Sequence, residues 1–273
     1  MGSLSILLSC IFYSIMALLI KPLSSDFNGL FISGFRFLIG IGLGFFVLYI
    51  SKKQFKIIDK KSWILRGVFG AISMIAYFVA VQFTSSGRAT LLSNTYPIFV
   101  ALFGGLFFGE RLSVKNIASL FLCIIGIVFV FYDRNLYPIW GDILGLISGI
   151  TGGIAIQYLK KSREYNNSIV IYLSACFFGI LALPFSINQP LHFSMYTVGM
   201  LMAIGIFAFA GQILMTYGFK TVSATKGSIL SYAGIPMTLM LSYWFLGEPM
   251  HAKFLVGIGF ILAGLIMDAV NVE

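Results

Sequence analysis

Ten apolar runs follow one another along this chain, at about 3–20, 29–50, 63–83, 89–108, 114–132, 143–159, 167–187, 195–218, 225–246 and 252–269. A helix needs about 20 apolar residues to cross the hydrocarbon core of a bilayer. Only helices and closed barrels satisfy every backbone polar group there. Runs of this length and number therefore predict an all-α membrane protein of ten transmembrane helices. With 59% apolar and only 10% charged residues, the composition excludes an ordinary water-soluble domain and a disordered chain. The connections between runs are too short for a separate catalytic, nucleotide-binding or DNA-binding domain. The first run has neither a basic leader nor a small-residue cleavage site, and reads as an uncleaved span rather than a signal peptide.

The net charge of +9 would raise the question of nucleic acid in a soluble chain. Here the cations sit in short loops beside the runs, as topology determinants do. Lys21, Arg88, Arg134 and Lys253 fall on one side, Arg36 lies inside the second run, and the other thirteen of the 18 basic residues fall on the opposite side. That imbalance predicts a cell (inner) membrane protein with both termini cytoplasmic, and no nucleic-acid partner.

Shifting the chain by 138 residues lays Gly67–Ser93 on Gly205–Ser231 without a gap, matching Ser85 with Ser223, Arg88 with Lys226 and Ser93 with Ser231. The shift returns for Gly109-Glu110 on Gly247-Glu248, and one residue of slippage pairs Pro97 with Pro236. The chain thus reads as two five-helix repeats, 1–132 and 140–270. An odd number of spans forces the second copy into the membrane upside down, the plan of carriers whose site lies between the halves.

All nine acids and both histidines, His192 and His251, fall in loops or at run ends. Buried carboxylates and histidines build most intramembrane proton relays, metal sites and general bases. Their absence from the run centres disfavours proton pumping through a buried acid, metalloenzymes and intramembrane hydrolases. No catalytic residue, metal or cofactor is expected. The three cysteines, Cys10, Cys123 and Cys176, lie inside runs without the spacing of a metal or redox site and read as small buried hydrophobes.

Arg36 is the exception, about seven positions inside its run. A guanidinium there costs several kcal/mol unless it reaches a partner or water, so it is a candidate for binding a carboxylate or phosphate; snorkelling to the interface is the structural alternative. Arg88 and Lys226 open the fourth and ninth runs, and either guide an anion or anchor the interface. Thr90, Ser93, Asn94 and Pro97 share one helix face, and the repeat lays Ser228, Ser231 and Tyr232 on the same face of the ninth run. Gln212 with Thr216, Tyr77 and Tyr13 add polar wall. Pro97 and Pro236 remove a backbone donor at equivalent depths and are candidate hinge or kink positions. Gly40-x-x-x-Gly44 and Gly145-x-x-x-Gly149-x-x-x-Gly153 are small-residue ridges, read as packing within a monomer rather than as a dimer seam.

The residues Thr84-Ser85-Ser86-Gly87-Arg88, Tyr96-Pro97 and Leu106-Phe107-Phe108-Gly109-Glu110-Arg111, echoed by Ser223-Ala224-Thr225-Lys226-Gly227-Ser228, Pro236 and Phe245-Leu246-Gly247-Glu248-Pro249, resemble the drug/metabolite transporter superfamily, specifically its EamA-like members. The likeness spans essentially the whole chain. It implies two inverted repeats, a central cavity and alternating access, with cargo among amino acids, their derivatives, other small metabolites, nucleotide-sugars or sugar phosphates. The Glu of each Gly-Glu turn is structural by that resemblance. Arg88 departs from the small residues usual at its position.

The leading expectation is a secondary transporter for a small polar metabolite, an amino acid or related carboxylate, contacted by Tyr13, Arg36, Tyr77, Asn94, Gln212 and Tyr232. An organic-anion exchanger relying on Arg88 and Lys226 is the alternative within the class. A channel, a lipid scramblase or a structural membrane subunit are the alternatives outside it.

Overall fold

Asn28, Asp59, Ser85 and Asn167 each place a side-chain oxygen where it accepts a backbone N–H of the turn that follows, at 2.8, 3.1, 3.0 and 3.0 Å, and a helix starts at each. At Asp59 the hydroxyl and backbone N–H of Ser62 hold the carboxyl below the usual carboxylate range. The computed structural model describes residues 2–107, 114–132, 137–162, 165–186, 194–221, 230–248 and 252–269. Every regular element among them is helical: α1 (Gly2–Leu23), α2 (Gly29–Ile50), α3 (Lys60–Phe83), α4 (Ser86–Ser93), α5 (Tyr96–Phe107), α6 (Val114–Tyr132), α7 (Ile139–Ser162), α8 (Ser168–Gly179) with a 3-10 continuation (Ile180–Ser186), α9 (Met195–Thr221), α10 (Gly234–Leu246) and α11 (Ala252–Ala269).

Among the described residues, seven stretches are long and apolar enough to cross a bilayer: α1, α2, α3, α4 with α5, α7, α8 with its continuation, and Met195–Gly218 of α9. Helices α6, α10 and α11 lie in the fifth, ninth and tenth apolar runs. The protein is therefore an all-helical, multi-pass membrane protein. Exposed Phe46, Phe107, Phe121, Trp244 and Phe245 face outward, as lipid-facing side chains do.

Helix contacts run α1 along α9, α3 along α7 and α8, α2 along α8, and α6 along α11. The glycine ridges make the close ones. A Cβ on Gly44 would lie 2.7 Å from Leu173 Cδ2, and Gly40 faces Tyr172 and Cys176, so the first ridge receives α8. On α7, a Cβ at Gly149 would stand 2.5 Å from Thr95 Oγ1 and 2.9 Å from the Leu92 carbonyl oxygen, and one at Gly153 2.6 Å from Phe99 Cβ. Both ridges face helices of the same chain. The three cysteines are buried and form no disulfide. Because the neighbour of Gly149 is partly backbone, which cannot rotate away, Gly149→Leu is expected to cost about 1–3 kcal/mol or more. Gly42→Leu, with nothing within 4 Å of the added Cβ, is the matched control. Melting of the two purified variants in detergent checks this: a lower midpoint for the first alone is the expected result.

Two helix breaks stand 138 residues apart. The chain turns at Asn94–Thr95 between α4 and α5, and at Tyr232–Ala233 before α10. Pro97 and Pro236 lie just downstream, in the first turn of α5 and α10, where a missing N–H leaves no helical bond unmade. The turns themselves are closed by Asn94 N–H to the Thr90 carbonyl at 2.9 Å and Ala233 N–H to the Leu230 carbonyl at 3.2 Å.

Charges tie together one end of the bundle. Gly247, at φ 63°, lets the chain reverse after α10, and the Glu248 carboxylate then accepts the N–H groups of Ser86 at 2.8 Å and Gly87 at 3.4 Å. A carboxylate there satisfies two orphan donors and the positive helix end of α4. Lys21, counted in the sequence as a loop cation, instead lies in the last turn of α1 and donates to the carbonyls of Val81, Gln82 and Thr84 at the C-terminal end of α3. Arg88 grips Asp142 in a two-point fork, Nε to Oδ1 at 2.6 Å and Nη2 to Oδ2 at 2.7 Å, with both side chains only 2% exposed. Asp142 sits at a run end, as the sequence suggests, but it is not a surface acid.

Candidate functional site

The helices that pack around α1 and α3 leave a cavity of about 150 Å³ between them. α1 supplies Ser9, Cys10, Tyr13 and Ser14; α3 supplies Arg66, Gly70, Ser73 and Tyr77; α4 and the break after it supply Thr90, Ser93 and Asn94. α7 contributes Ser148 and Gly152, α9 contributes Gln212 and Met215, and Ser231, Gly234 and Thr238 close the side formed by the second half. Both halves of the chain thus build one chamber.

Hydrogen bonds stitch this wall across helices. Tyr13 Oη donates to Gln212 Oε1 at 3.0 Å, joining α1 to α9. Tyr77 and Thr90 hydroxyls lie 3.0 Å apart, and those of Ser93 and Ser148 2.8 Å apart. Ser73 Oγ donates to the Ser148 carbonyl at 2.9 Å, and Thr238 Oγ1 to Ser14 Oγ at 2.9 Å. In a low-dielectric interior such pairs orient each other and hold the wall in one arrangement. Among the described residues, no Asp, Glu or His lines the cavity.

Of the residues singled out in the sequence, Tyr13, Tyr77, Asn94 and Gln212 line the cavity together, with Thr90, Ser93 and Ser231 from the two polar faces. Arg88 does not; Asp142 takes its guanidinium, and the rings of Tyr137 and Phe254 flank it at 5.9 and 5.8 Å. Tyr232 packs instead among Leu91, Leu92 and Ile235. Lys226 and Ser228 lie outside the described residues.

Arg36 is 2% exposed and is not among the lining residues, its guanidinium carbon 5.0 Å from the Phe37 ring centroid and 5.6 Å from that of Phe78. It is within electrostatic reach of Tyr13 and Tyr77. Its Nε and Nη1 have no hydrogen-bond partner among the described residues.

The residue that sequence reasoning passed over is Arg66. Counted there with the loop cations, it lies inside α3, is 7% exposed, lines the cavity, and leaves Nε without a partner among the described residues. Gly70, one turn on, makes the room: a Cβ there would collide with Arg66 Nη1. The signal was present, since Arg66, Gly70, Ser73 and Tyr77 recur at i, i+4, i+7 and i+11, a single helix face.

An all-helical bundle of membrane-crossing segments around a partly open cavity, with polar side chains contributed by several helices, has the architecture of a solute transporter. The model of the EamA-like transporter family matches residues 1–132 and 139–268, nearly the whole chain. The chain belongs to that family: it is a membrane transporter for a small molecule and not an enzyme. It is 27% identical over 272 residues to a pseudopaline exporter of Pseudomonas aeruginosa, an alignment covering 94% of this chain and 91% of that one. An uncharacterized transporter of Archaeoglobus fulgidus is 26% identical over 241 residues, covering 86% of each. A crystal structure that is 16% identical superimposes with a TM-score of 0.69 over 97% of this chain and 95% of its own, a likeness of fold.

Proposed function

We propose that the protein is a secondary transporter that moves a small organic anion, an amino acid or related carboxylate, across the cell membrane by alternating access. The observation that carries this reading is Arg66: a buried guanidinium whose Nε has no partner among the described residues, on the wall of a chamber with no acid among its described lining residues. A carboxylate supplies the counter-charge and the two-point geometry that such a group lacks. Tyr13, Tyr77, Asn94 and Gln212 contact the polar remainder of the cargo. At about 150 Å³, the chamber suits a ligand on the order of benzene in size, in the state the structure represents.

Ten spans in two inverted five-helix repeats are the architecture of this reading. The separate family matches to 1–132 and 139–268 support it, as do the two helix breaks 138 residues apart. Rocking of one repeat against the other about the breaks at Asn94–Thr95 and Tyr232–Ala233, beside Pro97 and Pro236, exposes the chamber to each side in turn. The excess of Lys and Arg on one set of loops supports cytoplasmic termini and an inner-membrane location. The likeness to a pseudopaline exporter favours outward movement. The exchanger alternative is weakened because Arg88, one of its two cations, is held by Asp142.

Proteoliposomes containing the full chain test the reading with labelled glutamate and succinate. Uptake of at least one is expected to saturate, and to rise several-fold when the vesicles are preloaded with the same unlabelled compound. Unitary conductance without counterflow would make the protein a channel instead.

A further inference from the structure

The connection between α2 and α3 holds five lysines, Lys52, Lys53, Lys56, Lys60 and Lys61, all exposed, and one acid, Asp59, whose carboxylate accepts the Ser62 N–H at 3.1 Å as the cap of α3. A topology determinant needs charge on one side of the membrane and no fixed geometry. This segment has a fixed geometry. The Phe55 ring packs against those of Phe45, Phe177 and Trp63, with centroids 5.6, 5.9 and 6.4 Å away. The Ile58 N–H donates to Asn166 Oδ1 at 2.8 Å, so the connection is tied to α2, α3 and the turn before α8.

Lys52 is a second, independent observation. α2 closes in a left-handed turn, with the Lys52 N–H on the Tyr49 carbonyl at 3.1 Å and the Lys53 N–H on the Leu48 carbonyl at 3.0 Å, and Lys52 stands at φ 51°. Glycine is usual at such a position, because a Cβ is disfavoured in the left-handed region. Among the described residues Lys52 is the one residue other than glycine at positive φ. A lysine kept in a strained backbone position points to a use for its ammonium group.

Next to these cations the surface is apolar. Phe46, Tyr49 and Ile50, at i, i+3 and i+4 in the last turns of α2, are exposed on one helix face. A fixed group of cations at the end of an exposed apolar face is complementary to a molecule with an anionic head and acyl chains. From this we infer that the α2–α3 connection is a binding site for an anionic phospholipid, its phosphate meeting Lys52 and Lys53 and its chains lying along Phe46 and Ile50. Dissolved phosphate would use the cations and leave the apolar face uncovered. The site is separate from the chamber and independent of its cargo.

The test titrates the full chain in dodecyl maltoside micelles with phosphatidylglycerol and, separately, with phosphatidylcholine of the same acyl chains. Affinity is read from lipid retained in native mass spectrometry and from the shift in melting temperature. Phosphatidylglycerol is expected to bind about tenfold more tightly or better, and to lose most of that preference in about 0.5 M salt. Lys52→Gly is expected to melt, free of lipid, at or above the wild-type temperature, because glycine relieves the left-handed strain, and yet to bind phosphatidylglycerol several-fold more weakly. Lys52→Arg keeps the affinity. The pair Lys52→Gly, Lys53→Gln is expected to remove most of the preference, and Lys60→Gln, Lys61→Gln much less. A wild-type preference below threefold overturns the inference, as does equal loss in the two double variants, which would show a diffuse charge effect. Equal stabilisation by inorganic phosphate overturns it as well, leaving an anion site without a lipid.

Discussion

Asp142→Asn is expected to lower the stability of the protein by about 3–5 kcal/mol, the cost of stripping one partner from a buried ion pair. The asparagine is nearly isosteric, so packing at the start of α7 is preserved and the loss is electrostatic. Arg88, 2% exposed, then keeps its charge opposite a neutral amide oxygen, with the rings of Tyr137 and Phe254 beside it. The effect should spread beyond one side chain, because Arg88 sits in the helix whose first two N–H groups donate to the Glu248 carboxylate that caps it. Loosening α4 therefore releases α10 as well. Unfolding in mixed micelles measures the change, and the double variant Arg88→Met, Asp142→Leu serves as its internal comparison. With both charges gone no ion needs solvation, and most of the lost stability should return. A single variant within 1 kcal/mol of wild type, or a double variant less stable than the single one, would show that the pair is solvated and unimportant to the fold.

The difference between Arg88 and Arg66 also shows what a linear reading resolves and what it does not. Hydropathy located the helical runs well, because a crossing segment must be apolar along its length and its boundaries are marked by charge. The repeat shift brought Asn94 and Tyr232 to equivalent positions, and those are the places where the helices break. The prolines pointed to the breaks but stand downstream of them, since a proline is tolerated in the first turn of the next helix. Charged residues near run ends were the hard cases. Counting by side treats a cation as solvated, yet Lys21 turns back onto the carbonyls of α3, Arg88 turns sideways to Asp142 and Arg66 turns inward. These directions depend on which neighbour leaves room: Gly70 opens a space for Arg66, and no residue adjacent in sequence to Arg88 foretells Asp142. Arg36 was conspicuous because it lies deep in its run, but depth does not tell a lining position from one that does not line the cavity.

Arg66→Gln is expected to weaken carboxylate binding and counterflow by about 10–100-fold. A hydrogen bond to a charged group is worth about 1.5–3 kcal/mol, and each 1.4 kcal/mol is a factor of ten in affinity. Stability should move the other way or not at all. The variant removes a buried cation with no carboxylate partner among the described residues, so the desolvation cost disappears and its melting temperature is expected to equal or exceed that of the wild type, in contrast to Asp142→Asn. That opposition is the signature of a group kept for a ligand rather than for the fold. Gly70→Ala sharpens the point without touching the charge. Its added methyl meets Arg66 Nη1, the far end of a flexible side chain, and makes only ordinary contact with Ala175 at 3.4 Å. The guanidinium must swing away while the helices stay in place, so affinity should fall with the fold intact and the cation still present. Transport that survives both substitutions would remove Arg66 from the binding site, whereas loss in both, at undiminished stability, would require that the guanidinium be present and also in that position.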